Sequence, residues 1–433
     1  MVFGGQDFNM IATFLGIVKA GYAYIPVDTH SPVERLNVIN DIAKPAACIA
    51  VEELPEGFNG LESLPIVDQA KLEDIFSNGD VVINEEKYVS GDDNFYIIFT
   101  SGTTGVPKGV QISHDNLLSF LDWIEKDFGI KEDVNCISQP PYSFDLSVMD
   151  LYPTLTRGGK LSVLPKETTD NFKELFATLP KLHANEWVST PSFMDLCLLN
   201  PAFNEENLHT RFPNGHIFNT YGPTETTVAV TQVEITEQVL DDYPRLPIGV
   251  TKDDTKIVLL DDNLKEVATG EAGEIVILGP SVSKGYINNP EKTQTAFIDF
   301  QGQKAYRTGD LGQFDDNGQL LYKGRIDFQI KLHGFRIELE DVDHHLDRVS
   351  LVSQATTVPK YDKNHKVQQL IAYVVAKENN FEDEFKLTQA IKKELNETMM
   401  SYMMPQRFIY VDSLPLTNNG KIDRKSLMKE VNK

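Results

Sequence analysis

The stretch Ile97 to Gly109, reading Ile-Ile-Phe-Thr-Ser-Gly-Thr-Thr-Gly-Val-Pro-Lys-Gly, constrains the fold more than any other. An apolar run with the character of a buried strand stops at Thr100 and gives way at once to hydroxyl and glycine residues. Backbone N–H groups in such a turn converge on an anion, the hydroxyls of Thr100, Ser101, Thr103 and Thr104 rotate to donate, Gly102 permits the turn, and Lys108 adds a mobile positive charge. The segment reads as a phosphate grip. It is not a Walker A loop, because Lys108 stands between Pro107 and Gly109, and it contains no G-x-G-x-x-G. Stripped of its order, a Gly/Ser/Thr run is more often a solvated turn.

The surroundings predict an α/β body. Ala12–Lys19 reads as a helix, Tyr22–Val27 as a strand, and Ser31 as an N-cap with Pro32 at the first helical position of a helix to Ala43. Strand and helix alternate, which implies mainly parallel sheets with flanking helices. Met1-Val2-Phe3 has the texture of a mid-strand segment, so the displayed chain is expected to begin inside its first domain. A strand is expected at Val81-Val82-Ile83 and an amphipathic helix over Asn116–Asp127. From about residue 245 the texture turns β-rich: Ile257–Leu260, Glu274–Leu278, Gly312–Phe314 and Gln319–Lys323 are short strands between turn signals, expected to form a small barrel. Glu338–Arg348 and Leu387–Asn396 read as helices, and Ser353–Val358 and Gln369–Val375 as strands, of a small α+β domain.

With 433 residues, 41% of them hydrophobic, the chain is too long for one ordinary domain. Its net charge of −24 excludes nucleic acid and anionic membrane as partners. From residue 331 onward 16 Lys and Arg face 15 Asp and Glu, leaving 24 against 49 before it, so an acidic partner is expected to dock on the near-neutral end. Cys48, Cys136 and Cys197 lack C-x-x-C spacing and suit a reducing cytoplasm. The run Met10–Val18 is too short for a membrane span. The histidines offer no ligand spacing for a metal, and Ser101 is no G-x-S-x-G nucleophile.

The order Thr-Ser-Gly-Thr-Thr-Gly-x-Pro-Lys-Gly resembles the nucleotide signature of the adenylate-forming superfamily, which includes acyl-CoA synthetases, luciferases and amino-acid adenylation domains. Further motifs extend the resemblance in order. In Phe144-Asp145-Leu146-Ser147, spacing alone admits an N-cap for a helix from Leu146. The resemblance instead implies that Asp145 holds a substrate α-amino group. In Asn219-Thr220-Tyr221-Gly222-Pro223-Thr224-Glu225 it implies adenine on the Tyr221 face, the α-phosphate beside Thr224 and Mg²⁺ on Glu225, with Val228 lining the amino-acid pocket. In Tyr306-Arg307-Thr308-Gly309-Asp310 it assigns Asp310 to the ribose hydroxyls. Tyr322-Lys323-Gly324-Arg325 supplies further ATP contacts, Asp327 is the hinge of a mobile lid, and Lys421, in Thr417-Asn418-Asn419-Gly420-Lys421-Ile422-Asp423-Arg424, is catalytic and bridges carboxylate and α-phosphate.

The resemblance spans residues 11 to 427, with a large domain over 1–327 and a small C-terminal domain over 328–433. Pro-Tyr-Ser-Phe-Asp-Leu-Ser-Val-Met, Ser-Thr-Pro-Ser-Phe-Met, Arg-Ile-Asp-Phe-Gln-Ile-Lys and Met-Met-Ser-Tyr-Met-Met-Pro are similar to the D-alanine–D-alanyl carrier protein ligase family of Gram-positive bacteria. That resemblance implies ATP and Mg²⁺ as cofactors, D-alanine as substrate, and a small acidic phosphopantetheinylated carrier as partner in teichoic acid D-alanylation. The segment Asn207-Leu208-His209-Thr210 runs into Arg211-Phe212-Pro213 too briefly for the pocket elements of that family, which leaves stereochemical preference without support in these residues. An L-amino-acid adenylation domain and a non-catalytic nucleotide-binding module remain as other readings.

Overall fold

In the computed structural model, which describes residues 1–59, 64–79, 83–102, 106–198, 200, 215–363, 366–416 and 422–432, the parallel pairing predicted for the body occupies two sheets. One has the order Pro26–Val27, Val2–Phe3, Cys48–Ala50, Ile66–Val67, all parallel. The other places Asn135–Ser138 between Lys160–Val163 and Glu186–Trp187. Helices Phe8–Lys19, Val33–Ala43 and Leu146–Thr156 connect the strands. The strand that leads into the glycine-rich turn departs from this pattern. Asn94–Thr100 pairs antiparallel with Lys108–Ser113, and the entering strand buries Tyr96, Ile97 and Ile98.

Several local expectations shift. The first helix begins four residues earlier than predicted because Asp7 caps it, its side chain accepting from the Asn9 N–H at 2.7 Å. Pro32, not Ser31, is the N-cap of Val33–Ala43, and no side-chain cap bond forms. Only Pro26–Val27 of the predicted strand Tyr22–Val27 is regular. The reason is a change of partner: Tyr24 exchanges backbone bonds with Phe95 and Ile97, whereas the Ile25 carbonyl accepts from Val2, so the segment links two sheets. Of the strand predicted at residues 81–83, only Ile83 lies among the described residues, and it is in no strand. The helix expected over Asn116–Asp127 begins at His114, where Ser113 and Asn116 form a reciprocal capping box.

The β-rich region is a five-stranded antiparallel sheet. Its long strand Gln303–Phe314, of which the expected Gly312–Phe314 is only the end, pairs with Gly273–Leu278, Phe297–Phe300 and Leu320–Arg325, and Lys256–Leu260 adds an edge. A bridge between Gly249 and Leu320 joins it to the sheet Phe218–Tyr221, Thr231–Glu234, Val250–Thr251. The pairing therefore follows an open path among the described strands.

From Gln329 the chain makes a hairpin, Gln329–Leu332 with Phe335–Glu338, then Leu339–Asp347, the antiparallel pair Val352–Tyr361 and Val367–Ala376, helix Glu384–Thr398, and Arg407–Tyr410 parallel to Val367–Ala376. Its apolar residues, among them Ile337, Val342, Leu346, Leu370, Val374, Ile391 and Leu395, form clusters with no member before Phe328. The largest cluster of the body spans Val2 to Tyr322.

Arg424 opens the last helix, Arg424–Val431, and its buried guanidinium pairs with Asp343 on Leu339–Asp347 and lies 4.5 Å from the Phe328 ring. Asp343 also accepts from the Thr357 N–H at 2.6 Å. Burial pushes the Asp343 carboxyl up, and Arg424 opposes it, leaving it at about 6. Removing one member strands a charge in a poorly solvated place. Arg424→Met is expected to cost about 3 kcal/mol, read as a lowered urea midpoint with unchanged slope, and an unshifted midpoint would contradict this account.

Candidate active site

The turn at Ser101 and Gly102 opens onto a cluster of charged groups that come from distant parts of the sequence. Ser101 is 3% exposed, and a Cβ on Gly102 would stand 2.1 Å from the Val106 carbonyl oxygen, so only glycine fits there. Thr103 and Thr104 lie outside the described residues. Lys108, first residue of the returning strand, carries its Nζ 5.1 Å from the Tyr286 ring centre.

Glu225 is the electrostatic centre. Its carboxylate is fully buried; Oε1 accepts from the Tyr286 hydroxyl at 2.8 Å and Oε2 from Arg336 Nη1 at 2.8 Å. Burial raises the carboxyl pKa, but Arg336, Lys108 and the Tyr286 hydroxyl outweigh it and hold the group at about 2. The same crowding lowers the Lys108 pKa, by burial first and then by Arg336. Glu225 is positioned by the turn Thr224–Thr226 after Phe218–Tyr221. The chain then passes through Thr227 and Val228 with φ of 60° and 68°. Two β-branched residues in the left-handed region are strained. A Cβ on Gly222 would meet Ala229 Cα at 2.5 Å, so glycine there allows the loop to fold back.

Asp145 occupies the N-cap position of Leu146–Thr156 yet forms no cap bond; its φ and ψ are −65° and −21°, already helical. Burial raises its pKa, countered first by the Thr224 hydroxyl, and Glu225 raises it further, while Lys331 and Arg336 lower it. The substrate-aspartate and nucleotide motifs therefore meet. The Phe144 ring stands edge-on to Phe335, their centres 5.0 Å apart, and Phe335 stacks on Tyr402 at 4.2 Å.

The remaining sugar and base candidates form a second group. Tyr221 donates from its hydroxyl to Asp310 Oδ2 at 2.5 Å, and Arg325 Nη1 donates to Asp310 Oδ1 at 2.9 Å. Arg325 also grips Asp327 with two bonds, Nε to Oδ1 at 2.7 Å and Nη2 to Oδ2 at 2.5 Å. Tyr322 lies near Asp310, and Arg245 sits over its ring at 5.3 Å. Not every candidate joins. Asn219 turns its amide to the Pro247 carbonyl at 2.7 Å, and Lys323 is exposed. Lys421 lies outside the described residues, as does the shortened segment at Thr210–Arg211.

Arg336, Tyr286 and Arg245 escaped the sequence reading, and Lys331 entered it only as the last residue of the Arg325–Lys331 motif, without a role. One signal was present for Arg336: in Phe335-Arg336-Ile337-Glu338 two charges alternate with two apolar residues, the pattern of a strand with a polar face.

As a fit test for a metal, Glu225 has both oxygens engaged by protein donors, and among the described residues no group of three or more His, Cys, Asp or Glu could hold an ion. In this arrangement the residues do not fit one.

The AMP-binding enzyme family matches residues 1–209 and 204–287, and its C-terminal domain matches 341–421. Among curated proteins, the D-alanine--D-alanyl carrier protein ligase of Lactiplantibacillus plantarum is 60% identical over 454 aligned positions, covering 100% of this chain and 89% of that protein. The ligase of the same description from Streptococcus agalactiae is 50% identical, with 100% and 89% covered. The first alignment is 21 positions longer than the 433-residue chain, and the two pieces of the family match meet at 204–209, next to the shortened segment. The Vibrio cholerae adenylation domain AlmE in complex with glycyl-adenosine-5'-phosphate shares the fold, with a TM-score of 0.82 at 23% identity over 99% of this chain and 88% of that one. The chain belongs to the AMP-binding enzyme family.

Proposed function

We propose that the chain is an ATP-dependent ligase that activates D-alanine as its acyl-adenylate and passes it to the phosphopantetheine thiol of a D-alanyl carrier protein, the first step of teichoic and lipoteichoic acid D-alanylation. The observation that carries this reading is Asp145: a half-buried carboxylate at a helix start that does not cap the helix and lies beside the Thr224 hydroxyl of the nucleotide motif. Withdrawing a carboxylate from water without an opposite charge is costly, and a substrate ammonium supplies that charge. The relatives at 50 to 60% identity support D-alanine as that substrate.

Each half-reaction then has its residues. Thr100, Ser101, Gly102, Thr103, Thr104 and Lys108 hold the outer phosphates, Tyr221 takes adenine on its face, and Asp310, steadied by Arg325, accepts from the ribose hydroxyls. An oxygen of the D-alanine carboxylate attacks the α-phosphorus; the new P–O bond forms as the bond to pyrophosphate breaks. Lys421 neutralises the charge that grows between carboxylate and phosphate. In the second half the carrier thiolate attacks the acyl carbon, forming the thioester while AMP leaves with the electron pair of the broken C–O bond. Between the two, the segment after Asp327 changes its orientation. A small acidic carrier is drawn to the near-neutral C-terminal part rather than to the strongly acidic body. Three buried free thiols suit a cytoplasmic site of action, and no described helix is long and apolar enough to cross a membrane.

Three outcomes are expected. D-alanine, and not L-alanine, should drive pyrophosphate exchange into ATP; exchange driven by L-alanine would favour an adenylation domain of peptide synthesis, and none at all a non-catalytic module. Asp145→Ala should weaken D-alanine binding by about 30-fold, the scale of a charge-assisted bond, with nucleotide affinity little changed; equal D-alanine affinity measured calorimetrically would rule the role out. Lys421→Ala should slow exchange by about 100-fold or more while ATP binding is largely kept, and an unchanged exchange rate would refute that assignment.

A further inference from the structure

Asp310 stands on an irregularity in the long strand Gln303–Phe314. Against Gly273–Leu278 the pairing joins Arg307 to Val276 and then Leu311 to Glu274, so that Ile275 alone faces Thr308, Gly309 and Asp310. Such a bulge frees backbone groups from the ladder and re-aims the side chains it carries. Thr308 is 3% and Asp310 7% exposed, so water does not serve the freed groups, and a buried backbone donor without an acceptor is costly. Side chains take over from the ladder. Glu274 Oε1 accepts from the Gly309 N–H at 3.1 Å, and the Thr308 hydroxyl accepts from the Asp310 N–H at 3.0 Å while donating to the Ile275 carbonyl oxygen at 2.8 Å. The other oxygen of Glu274, Oε2, takes two bonds from Arg307, from Nε at 2.9 Å and from Nη2 at 2.6 Å. The carboxylate is tied at both oxygens and its charge is met by the guanidinium.

We infer that Glu274, held by Arg307, is a positioning residue for the nucleotide: it sets the bulge that aims the Asp310 carboxylate, and thereby how well the site separates a nucleotide with free 2′- and 3′-hydroxyls from one without them. Regular pairing does not fix the backbone under Asp310, so its direction comes from the contacts around it. Tyr221 and Arg325 hold the carboxylate oxygens, while Glu274 and Thr308 hold the chain beneath. Each carboxylate oxygen has two lone pairs, which leaves one on each for a hydroxyl donor. A hydrogen bond weakens steeply as its angle closes, so a small rotation of Asp310 is felt by the ribose hydroxyls and not by the base or the phosphates. Glu274 acts across 35 positions of sequence on Gly309, from a segment whose pattern announces only a strand. The inference rests on the reading of Asp310 as the ribose-binding carboxylate.

The test compares the dissociation constants of ATP and of 2′,3′-dideoxyATP, measured calorimetrically on the full chain. Base and phosphates are common to the two, so their ratio isolates the ribose hydroxyls. The parent should favour ATP by about 100-fold, the scale of two charge-assisted bonds, and Asp310→Asn should remove most of that preference. Glu274→Gln should lower it about tenfold, through weaker ATP binding at an unchanged dideoxyATP affinity. Arg307→Gln frees the same carboxylate from a more exposed position, should act in the same direction, and decides the matter if Glu274→Gln does not fold. A Glu274 that merely supports the fold would weaken both nucleotides alike. An unchanged ratio on substitution of Glu274, with a lowered one in Asp310→Asn, overturns the inference and leaves the ribose reading intact. No preference in the parent, or one that Asp310→Asn leaves as it was, overturns both.

Discussion

A single carboxylate with no exposure to solvent, that of Glu225, organises the charged interior of this protein. A bare anion in that place would be prohibitively costly. The structure meets the cost with a phenol from Tyr286, a guanidinium from Arg336 and the nearby ammonium of Lys108, so three remote segments must be correctly placed at once. The antiparallel strand pair that flanks the glycine-rich turn, the loop after Phe218–Tyr221 and the hairpin after Asp327 are brought together by that demand.

Much of this was legible in the residues. The buried strand ahead of the turn is visible as an unbroken apolar run, and alternating elements predicted the two parallel sheets. The position of Asp145 at the head of a helix could also be read, and so could its ambiguity. Backbone geometry bears on one side of it alone: the residue already has helical angles and makes no side-chain bond to the N–H groups ahead. The antiparallel return of Lys108–Ser113 was not legible, because a glycine-rich turn is compatible with a following strand or helix. Nor was Ser31's failure to cap: Pro32 has extended backbone angles and takes the cap position itself, one residue ahead of the helix.

The groups missed by sequence share a cause. Tyr286 and Arg245 belong to no compact motif, and their importance arises only from proximity to residues far away in the chain. Tyr286 is identified by its bond to Glu225 across 61 positions, which no local pattern encodes. Motifs read from sequence report the groups that must sit at fixed spacing around a ligand. Groups that balance charge at long range have no such spacing to betray them.

Arg325 couples two things that a reader of the sequence would treat separately. One guanidinium grips Asp310 with one nitrogen and Asp327 with two others. Its planar fork cannot swivel to suit one carboxylate without disturbing its alignment with the other. A change of backbone angle at Asp327 would therefore have to break the Asp310 contact or carry it along, so neither carboxylate can shift without the other registering it.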